Sequence, residues 1–259
     1  MKTLIVHAHP EPTSLNGSLK DLAVSTLQGA GHEVRVSDLY AMNWKAVVDA
    51  ADYGTDGSRR LDVVRDSGRA FDTGTLTPDV RAEQEKLLWA DTIVLQFPLW
   101  WYSMPAILKG WVDRVFTRNF AYGVGEHSEI RYGDRYGEGT LAGRRALLSV
   151  TVGGHASHYS ARGINGPIED LLFPIHHGIL YYPGIEVLPP FVLYGADRLT
   201  EADYPDVAKA WRQRLLTLES TDPIPFRPQN SGDYEMPSLH LKDGLESAGR
   251  SGFGLHVRG

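Results

Sequence analysis

ADTIVLQFPLWWYSMPAILKGWVDRVFTR, residues 90–118, reads as a buried strand, a short aromatic loop and an amphipathic helix. Residues 92–97 form a nearly unbroken apolar run, the pattern of a strand covered on both faces in a parallel sheet. Pro105 falls where a first helical residue needs no N–H. Ile107, Leu108, Trp111, Val112, Val115 and Phe116 follow at helical spacing, and Lys109, Asp113, Arg114 and Arg118 take the other side. Between strand and helix lies Pro98-Leu99-Trp100-Trp101-Tyr102. The carboxyl end of a parallel strand is where an open α/β sheet holds a ligand, and three consecutive aromatics suit a flat ring. The competing reading of these aromatics is a piece of core or a dimer patch.

Outward from this unit, strands and helices alternate. A strand over 3–7 runs into the loop 7–13, and a helix opens near Ser14 or Asn16, to be stopped by Gly29 and Gly31. A second strand covers 32–38. Pro78 starts a helix carrying Val80, Leu87 and Leu88. A strand over 145–152 ends in Thr151-Val152-Gly153-Gly154. Residues 164–175 read as partly helical despite Pro174, 185–194 as a last strand containing proline, and Thr200 as the cap of a helix reaching Leu218. Repeated β–α–β units of this length predict an α/β fold, flavodoxin-like, with a five-stranded parallel sheet and helices on both faces. Residues 46–77 are polar and break the pattern. The glycine-rich stretch 122–143 reads as an excursion over the active face. The boundaries expected are 1–220 for the main domain and 221–259 for an extended C-terminal tail, packed on that domain or on a partner subunit.

The chain has 259 residues, a formal net charge of −6 and no cysteine. That length can bury a full core. The charge favours neither nucleic acid nor an anionic membrane. The lack of cysteine removes disulfides, thiolate nucleophiles and iron–sulfur ligation. No apolar run reaches the ~20 residues of a membrane span, so no membrane insertion is expected, and a cytoplasmic location is the default.

Three loops should meet at the carboxyl edge of the sheet. HAHPEPTSLNGS, residues 7–18, offers Thr13, Ser14, Asn16, Ser18 and free amides at a helix N-terminus, which hold a phosphate without lysine. An ordinary N-cap is the alternative. His7, His9 and Glu11 could hold a metal, but three or four ligands are wanted and no further cluster has that spacing, so no metal is expected. The second loop is 98–102. The third, from Thr151 through Gly153 and Gly154 to Tyr159, brings paired glycines and a hydroxyl to a place where developing negative charge could be stabilised.

Together QFPLWWYSMPAILKGWVDRVF, HAHPEPTSLNGS, SDLYAMN, TVGGHASHYSARGINGP, PIHHGILYYPG and FGLHV resemble the NAD(P)H:quinone oxidoreductases, the DT-diaphorase family of FAD flavoproteins. The resemblance implies that His9, Thr13, Ser14, Leu15, Asn16 and Ser18 hold the FAD phosphates and ribityl chain. It implies that Pro98, Leu99, Trp100, Trp101 and Tyr102 border the isoalloxazine ring, and that Thr151, Gly153 and Gly154 meet its pyrimidine edge. Tyr159 would donate to the flavin. Trp101, Tyr102, Tyr122, Asn165, Phe173 and His177 would line a substrate pocket formed across a homodimer. The implied reaction is two-electron reduction of a quinone by NADH or NADPH, ping-pong, with hydride passing through flavin N5.

The chain departs from the family at several points. Asn165 stands where many members place a histidine that relays a proton with the tyrosine, and an amide cannot carry a proton near neutral pH. His155 or His158 is the candidate substitute for that base. A branch with asparagine here prefers smaller dihydronicotinamide donors. Tyr204 replaces an arginine near the adenine end, and Val124 replaces a second tyrosine. Two other readings stay open: an FMN-dependent azo or nitro reductase on the same fold, and a flavin-binding regulatory subunit of a potassium-efflux system.

Overall fold

The structure, a computed structural model, describes residues 1–55 and 57–259. Its elements are β1 (Lys2–His7), α1 (Leu15–Gly29), β2 (Glu33–Asp38), α2 (Val63–Thr73), α3 (Pro78–Trp89), β3 (Thr92–Pro98) and α4 (Ala106–Val115). There follow β4 (His127–Ser128), β5 (Arg131–Tyr132), β6 (Arg145–Val152), α5 (Ile168–Phe173), β7 (Glu186–Val187), β8 (Phe191–Tyr194) and α6 (Tyr204–Leu216). The main sheet runs β2-β1-β3-β6 with every pairing parallel, and β7 and β8 both pair with β6. This is the flavodoxin-like order, and the strand reversal beside β1 and β3 puts their loops at the crevice where such sheets bind ligands.

Alternation along the strands divides the core. Leu4, Val6, Ile93, Leu95, Phe97, Leu148 and Val150 pack against Val80, Leu87, Leu108, Trp111 and Val115 of α3 and α4. Ile5, Val94 and Leu147 point the other way, onto Leu19, Leu27, Trp211 and Leu215 of α1 and α6. Every residue of β3 is buried, as its apolar run predicts for a central parallel strand.

Several expectations change. The fifth strand is split, because Pro189 and Pro190 have no N–H for a ladder and fall between β7 and β8. Pro105 is the N-cap residue of α4, so the helix begins one residue later. The cap of the last helix is Asp203; its carboxylate accepts from Thr200 N and Oγ1, which makes Thr200 part of the preceding turn. Residues 46–77 hold α2, a helix the sequence pattern hides. Its buried face is Asp66, Ser67, Gly68 and Ala70 rather than large apolar residues. Asp66 tolerates burial because Arg59 pairs with it. Pro174 does not end the helix near residue 175, because the chain continues as a π-helix over Pro174–Tyr181. The excursion 122–143 lies over that π-helix and the tail: Tyr136 and Gly137 donate to the carbonyls of Tyr182 and Tyr181, and Asn230 Nδ2 donates to Glu138 Oε2 at 2.7 Å.

The π-helix buries two histidines as neutral rings. Desolvation lowers the pKa of His176 from 6.5 to about 4, and burial followed by the nearby His256 lowers His177 to about 4. Between those values and 6.5 the unfolded chain binds more protons than the folded one, so stability rises with pH. The urea midpoint is therefore expected to fall as pH drops from 7 towards 4. His176→Gln should flatten that slope, and an unchanged slope would remove His176 from the account.

Candidate functional site

The first loop leaves β1 and enters α1. Ser14 caps the helix, its Oγ accepting from Gly17 N at 3.1 Å, and the first turn holds no acidic side chain. An uncompensated N-terminal turn of this kind favours an anion. Gly17 is pressed on the loop: a Cβ there would lie 1.9 Å from the Pro12 carbonyl oxygen. His9 and Glu11 lock the loop through a backbone–ring pair at 3.1 Å, and Glu11 accepts from both Thr13 N and Thr13 Oγ1. The Thr13 hydrogen bonds, backbone first, hold the Glu11 carboxyl below its ordinary range.

The second loop is a tight turn. Trp100 and Ser103 exchange backbone hydrogen bonds at 3.0 and 3.1 Å. Trp101 and Tyr102, at its two central positions, have φ of 49° and 62°. Left-handed backbone at two bulky non-glycine residues costs of order 1–3 kcal/mol each, and such strain collects at functional sites. The turn leaves Trp101 94% exposed and Tyr102 51% exposed.

The third loop follows β6. Leu99 N donates to Thr151 O at 2.9 Å, which joins loops two and three. Asn16 Nδ2 donates to Thr151 Oγ1 at 2.8 Å, which joins loops one and three. Asn16 Oδ1 is buried without a partner, an acceptor left open at the junction of the loops. The His9 and Trp100 rings lie 6.2 Å apart, so loops one and two also meet. Gly154 is required by close approach, since a Cβ would lie 2.9 Å from the Tyr159 ring. Tyr102 Oη donates to Asn165 Oδ1 at 3.1 Å. Burial first, then Tyr102, raises the Tyr159 pKa, while the neighbouring Asn165 side chain opposes that rise. The phenol is thus a neutral donor at physiological pH.

A family model described as a flavodoxin-like fold matches residues 1–215. A ribosyldihydronicotinamide dehydrogenase-like protein, traD, of Penicillium crustosum is 55% identical over 259 residues, 100% of this chain and 96% of the relative. NAD(P)H dehydrogenase (quinone) 1 of Rattus norvegicus is 37% identical over 260 residues, covering 99% of this chain and 92% of the relative. The chain belongs to the NAD(P)H:quinone oxidoreductase family. A solved structure from Klebsiella pneumoniae, described as a candidate quinone reductase, is 59% identical with a TM-score of 0.96 over 99% of both chains.

Within this NAD(P)H:quinone oxidoreductase framework the fold gathers most of the residues singled out by sequence. His9, Thr13, Ser14, Leu15, Asn16 and Ser18 surround the start of α1, and Tyr204 Oη reaches Ser18 O at 3.5 Å from α6. Pro98 pairs with Thr151 across the sheet, which sets Leu99 to Tyr102 beside Gly153 and Gly154. Tyr159 and Asn165 complete that group. His155 and His158 are exposed, with rings 5.4 Å apart; His158 meets Asn165 through its carbonyl, which accepts from Asn165 N at 3.0 Å.

Other expected residues lie elsewhere in the chain. Tyr122 lines a shallow cavity of ~230 Å³ with Phe116, Ile179 and Tyr182. Phe173 and His177 line another, of ~290 Å³, with Tyr136 of the excursion and Tyr234, Phe253 and His256 of the tail. In it Phe173 stacks on Phe253 at 4.3 Å and on His177 at 4.7 Å. Among the described residues no three His, Asp or Glu side chains are grouped to hold a metal, and no helix is long and apolar enough to cross a membrane.

The partnership of Tyr102 with Asn165 was not read from sequence. Sixty-three positions separate them, and Tyr102 reaches residue 165 from the left-handed turn. The extra hydroxyl in WWY was the available signal.

The tightness at Gly17 gives a direct test. Gly17→Ala forces Pro12 or α1 to move, so flavin affinity is expected to drop at least 10-fold in an equilibrium titration by fluorescence quenching. Unchanged affinity would detach this loop from cofactor binding.

Proposed function

We propose that this chain is an FAD-dependent NAD(P)H:quinone reductase. The observation that carries the reading is the meeting of three loops around an exposed, strained aromatic turn, with an anion-ready helix N-terminus on one side and Tyr159 on the other. Flavin fits these residues. The shelf of Trp100, Trp101 and Tyr102 suits the isoalloxazine ring, and Thr13, Ser14, Asn16 and Ser18 suit the diphosphate and ribityl chain. The free Asn16 Oδ1 suits a ligand hydroxyl. FAD held there would supply two-electron hydride chemistry between a dihydronicotinamide and a quinone.

The chain's own residues orient the substrates and stabilise charge. Trp101 and Tyr102 provide a stacking wall for a flat acceptor or a nicotinamide ring. Gly153 and Gly154 let backbone N–H groups approach a developing anion, and Tyr159 adds a hydroxyl donor. We assign residues 1–220 to the catalytic domain and 221–259 to an extension. Tyr122, Phe173 and His177 lie off the shelf in their own chain, which favours a homodimer in which a second copy presents them. The expected place of action is the cytoplasm.

Protein purified as expressed is expected to be yellow and to release FAD, identified by mass, on denaturation. FMN in its place would turn the reading towards the azo and nitro reductases. A colourless protein that takes up no flavin on reconstitution would overturn it. Rates of anaerobic reduction by NADH, NADPH and a truncated dihydronicotinamide rank the donors that Asn165 admits.

A further inference from the structure

We propose that the concavity between α2 and the turn at 118–123 binds a phosphate monoester or inorganic phosphate, with Arg118 as its main contact. The site stands apart from the flavin loops, and only the source of the phosphate rests on the reading above. The cavity measures ~540 Å³ and is lined by Arg65, Arg69 and Arg118, with Asp72 and Asn119 beside them. Three guanidiniums against one carboxylate make it positive, in a chain whose net charge is −6. Asp72 is engaged elsewhere, its Oδ2 accepting from Asn119 Nδ2 at 2.8 Å. Arg69 donates to the Tyr53 carbonyl at 3.1 Å and stands 3.7 Å from Asp66, while Arg65 comes no nearer than 3.9 Å to Asp62. Among the described residues, no carboxylate oxygen lies within 4.0 Å of the Arg118 guanidinium.

The Arg118 side chain is nevertheless seated. Its stem passes two glycines: a Cβ on Gly68 would lie 3.1 Å from Arg118 Cδ, and a Cβ on Gly123 would lie 3.2 Å from Cγ. Gly68 is inside α2, where glycine is less stable than alanine, so the slot is kept at a cost to the helix. A guanidinium fixed at its stem and without a carboxylate at its fork loses little freedom when it takes an anion. Its planar N–H groups match phosphate oxygens, and Arg65 and Arg69, four residues apart on one face of α2, add the charge that favours a dianion over a carboxylate. The same turn reaches the substrate side. Asn119 N donates to Tyr122 O at 2.7 Å, and Tyr122 lines the ~230 Å³ cavity that the homodimer reading turns towards substrate. Two sources carry this chemistry: the 2′-phosphate that distinguishes NADPH from NADH, and inorganic phosphate.

The test is calorimetric titration of the purified full chain with inorganic phosphate, NADP⁺ and NAD⁺, in a phosphate-free buffer of low ionic strength. Phosphate is expected to bind the wild type. Arg118→Ala should weaken it about 5-fold, the upper end for one exposed ion pair, and Arg118→Lys, which keeps the charge without the fork, should fall between. Added sodium chloride should weaken binding to the wild type. Arg212→Ala removes the same charge from an exposed position on α6 and should leave phosphate affinity at the wild-type value.

The two sources separate in the other arms. If the phosphate belongs to the donor, NADP⁺ binds more tightly than NAD⁺, and Arg118→Ala raises the KM for NADPH relative to that for NADH about 3–5-fold. If it is inorganic phosphate, the two nucleotides bind alike, and Arg118→Ala leaves the ratio of their KM values where it was while still losing phosphate. Either result supports the site. No phosphate binding to the wild type, equal affinity in Arg118→Ala, or an equal loss in Arg212→Ala would overturn it. Arg118→Ala with a wild-type urea midpoint establishes that a loss is local; if it does not fold, wild-type affinity in Arg118→Lys would overturn the role of the fork. A protein that takes up no flavin would overturn the flavin reading alone, because the phosphate titration needs none.

Discussion

Tyr159→Phe is expected to lower the rate of flavin reduction by about 10²–10³, the cost of removing one donor from developing negative charge, ~2.7–4 kcal/mol. Residual solvent access at Tyr159 favours the lower end of that range. The hydroxyl stands beside Gly154, and burial keeps it protonated by raising its pKa. The loss should therefore appear in the reductive half-reaction with every donor, NADH, NADPH or a truncated dihydronicotinamide, and should persist across neutral pH. The substitution removes one oxygen and leaves the ring packing on Tyr194, 5.8 Å away, so flavin content should not change. Stopped-flow reduction checks this. Wild-type rates with several donors would remove Tyr159 from the chemistry.

The second large effect concerns stability. Arg114 and Asp52 are each 1% exposed and paired at 2.8 Å. The guanidinium also donates through Nε to Asp52 Oδ1 at 3.0 Å and through Nη1 to the Lys45 carbonyl at 3.0 Å; Nη1 meets Asp79 at 2.8 Å, and the group lies over the Trp44 ring. Asp52 in turn caps the segment before α2, accepting from Asp49 N. This network ties α4 to the 45–54 segment and to the start of α3. Arg114→Met leaves the Asp52 carboxylate buried without its guanidinium, held by Lys45 and the Asp49 N–H. It is expected to cost about 3–5 kcal/mol in urea unfolding, the usual penalty for breaking a buried pair from one side. Arg114→Lys keeps the charge but loses the fork, and should cost less. A loss under 1 kcal/mol for Arg114→Met would show that Asp52 is relieved by another route.

The parts of the fold legible in sequence are those where one physical signal dominates. β3 shows as an apolar run because both its faces are covered, and α4 shows because its apolar stripe faces one sheet. The Pro105 boundary is visible because proline has no N–H to place inside a helix. α2 escapes notice because small and charged residues make its buried face, and burial of Asp66 depends on Arg59, which no hydropathy pattern registers. The π-helix after Pro174 escapes because its hydrogen-bond register has no compositional mark.

In the site, the phosphate-type loop and the aromatic turn are readable because each is continuous in sequence. The link from Tyr102 to Asn165 is not, since it depends on two left-handed residues and on how a third loop folds back. The placement of Phe173 and His177 against Phe253 and His256 was equally hidden, because it is set by where the tail lies.

The most direct measurement of the central claim is anaerobic stopped-flow on the protein as purified, following the visible flavin band. Mixing with NADPH or NADH should bleach the band in a single fast phase, and a second mix with a quinone should restore it fully within one turnover. A band that neither donor bleaches, or that returns only when oxygen is admitted and not with quinone, would contradict the account.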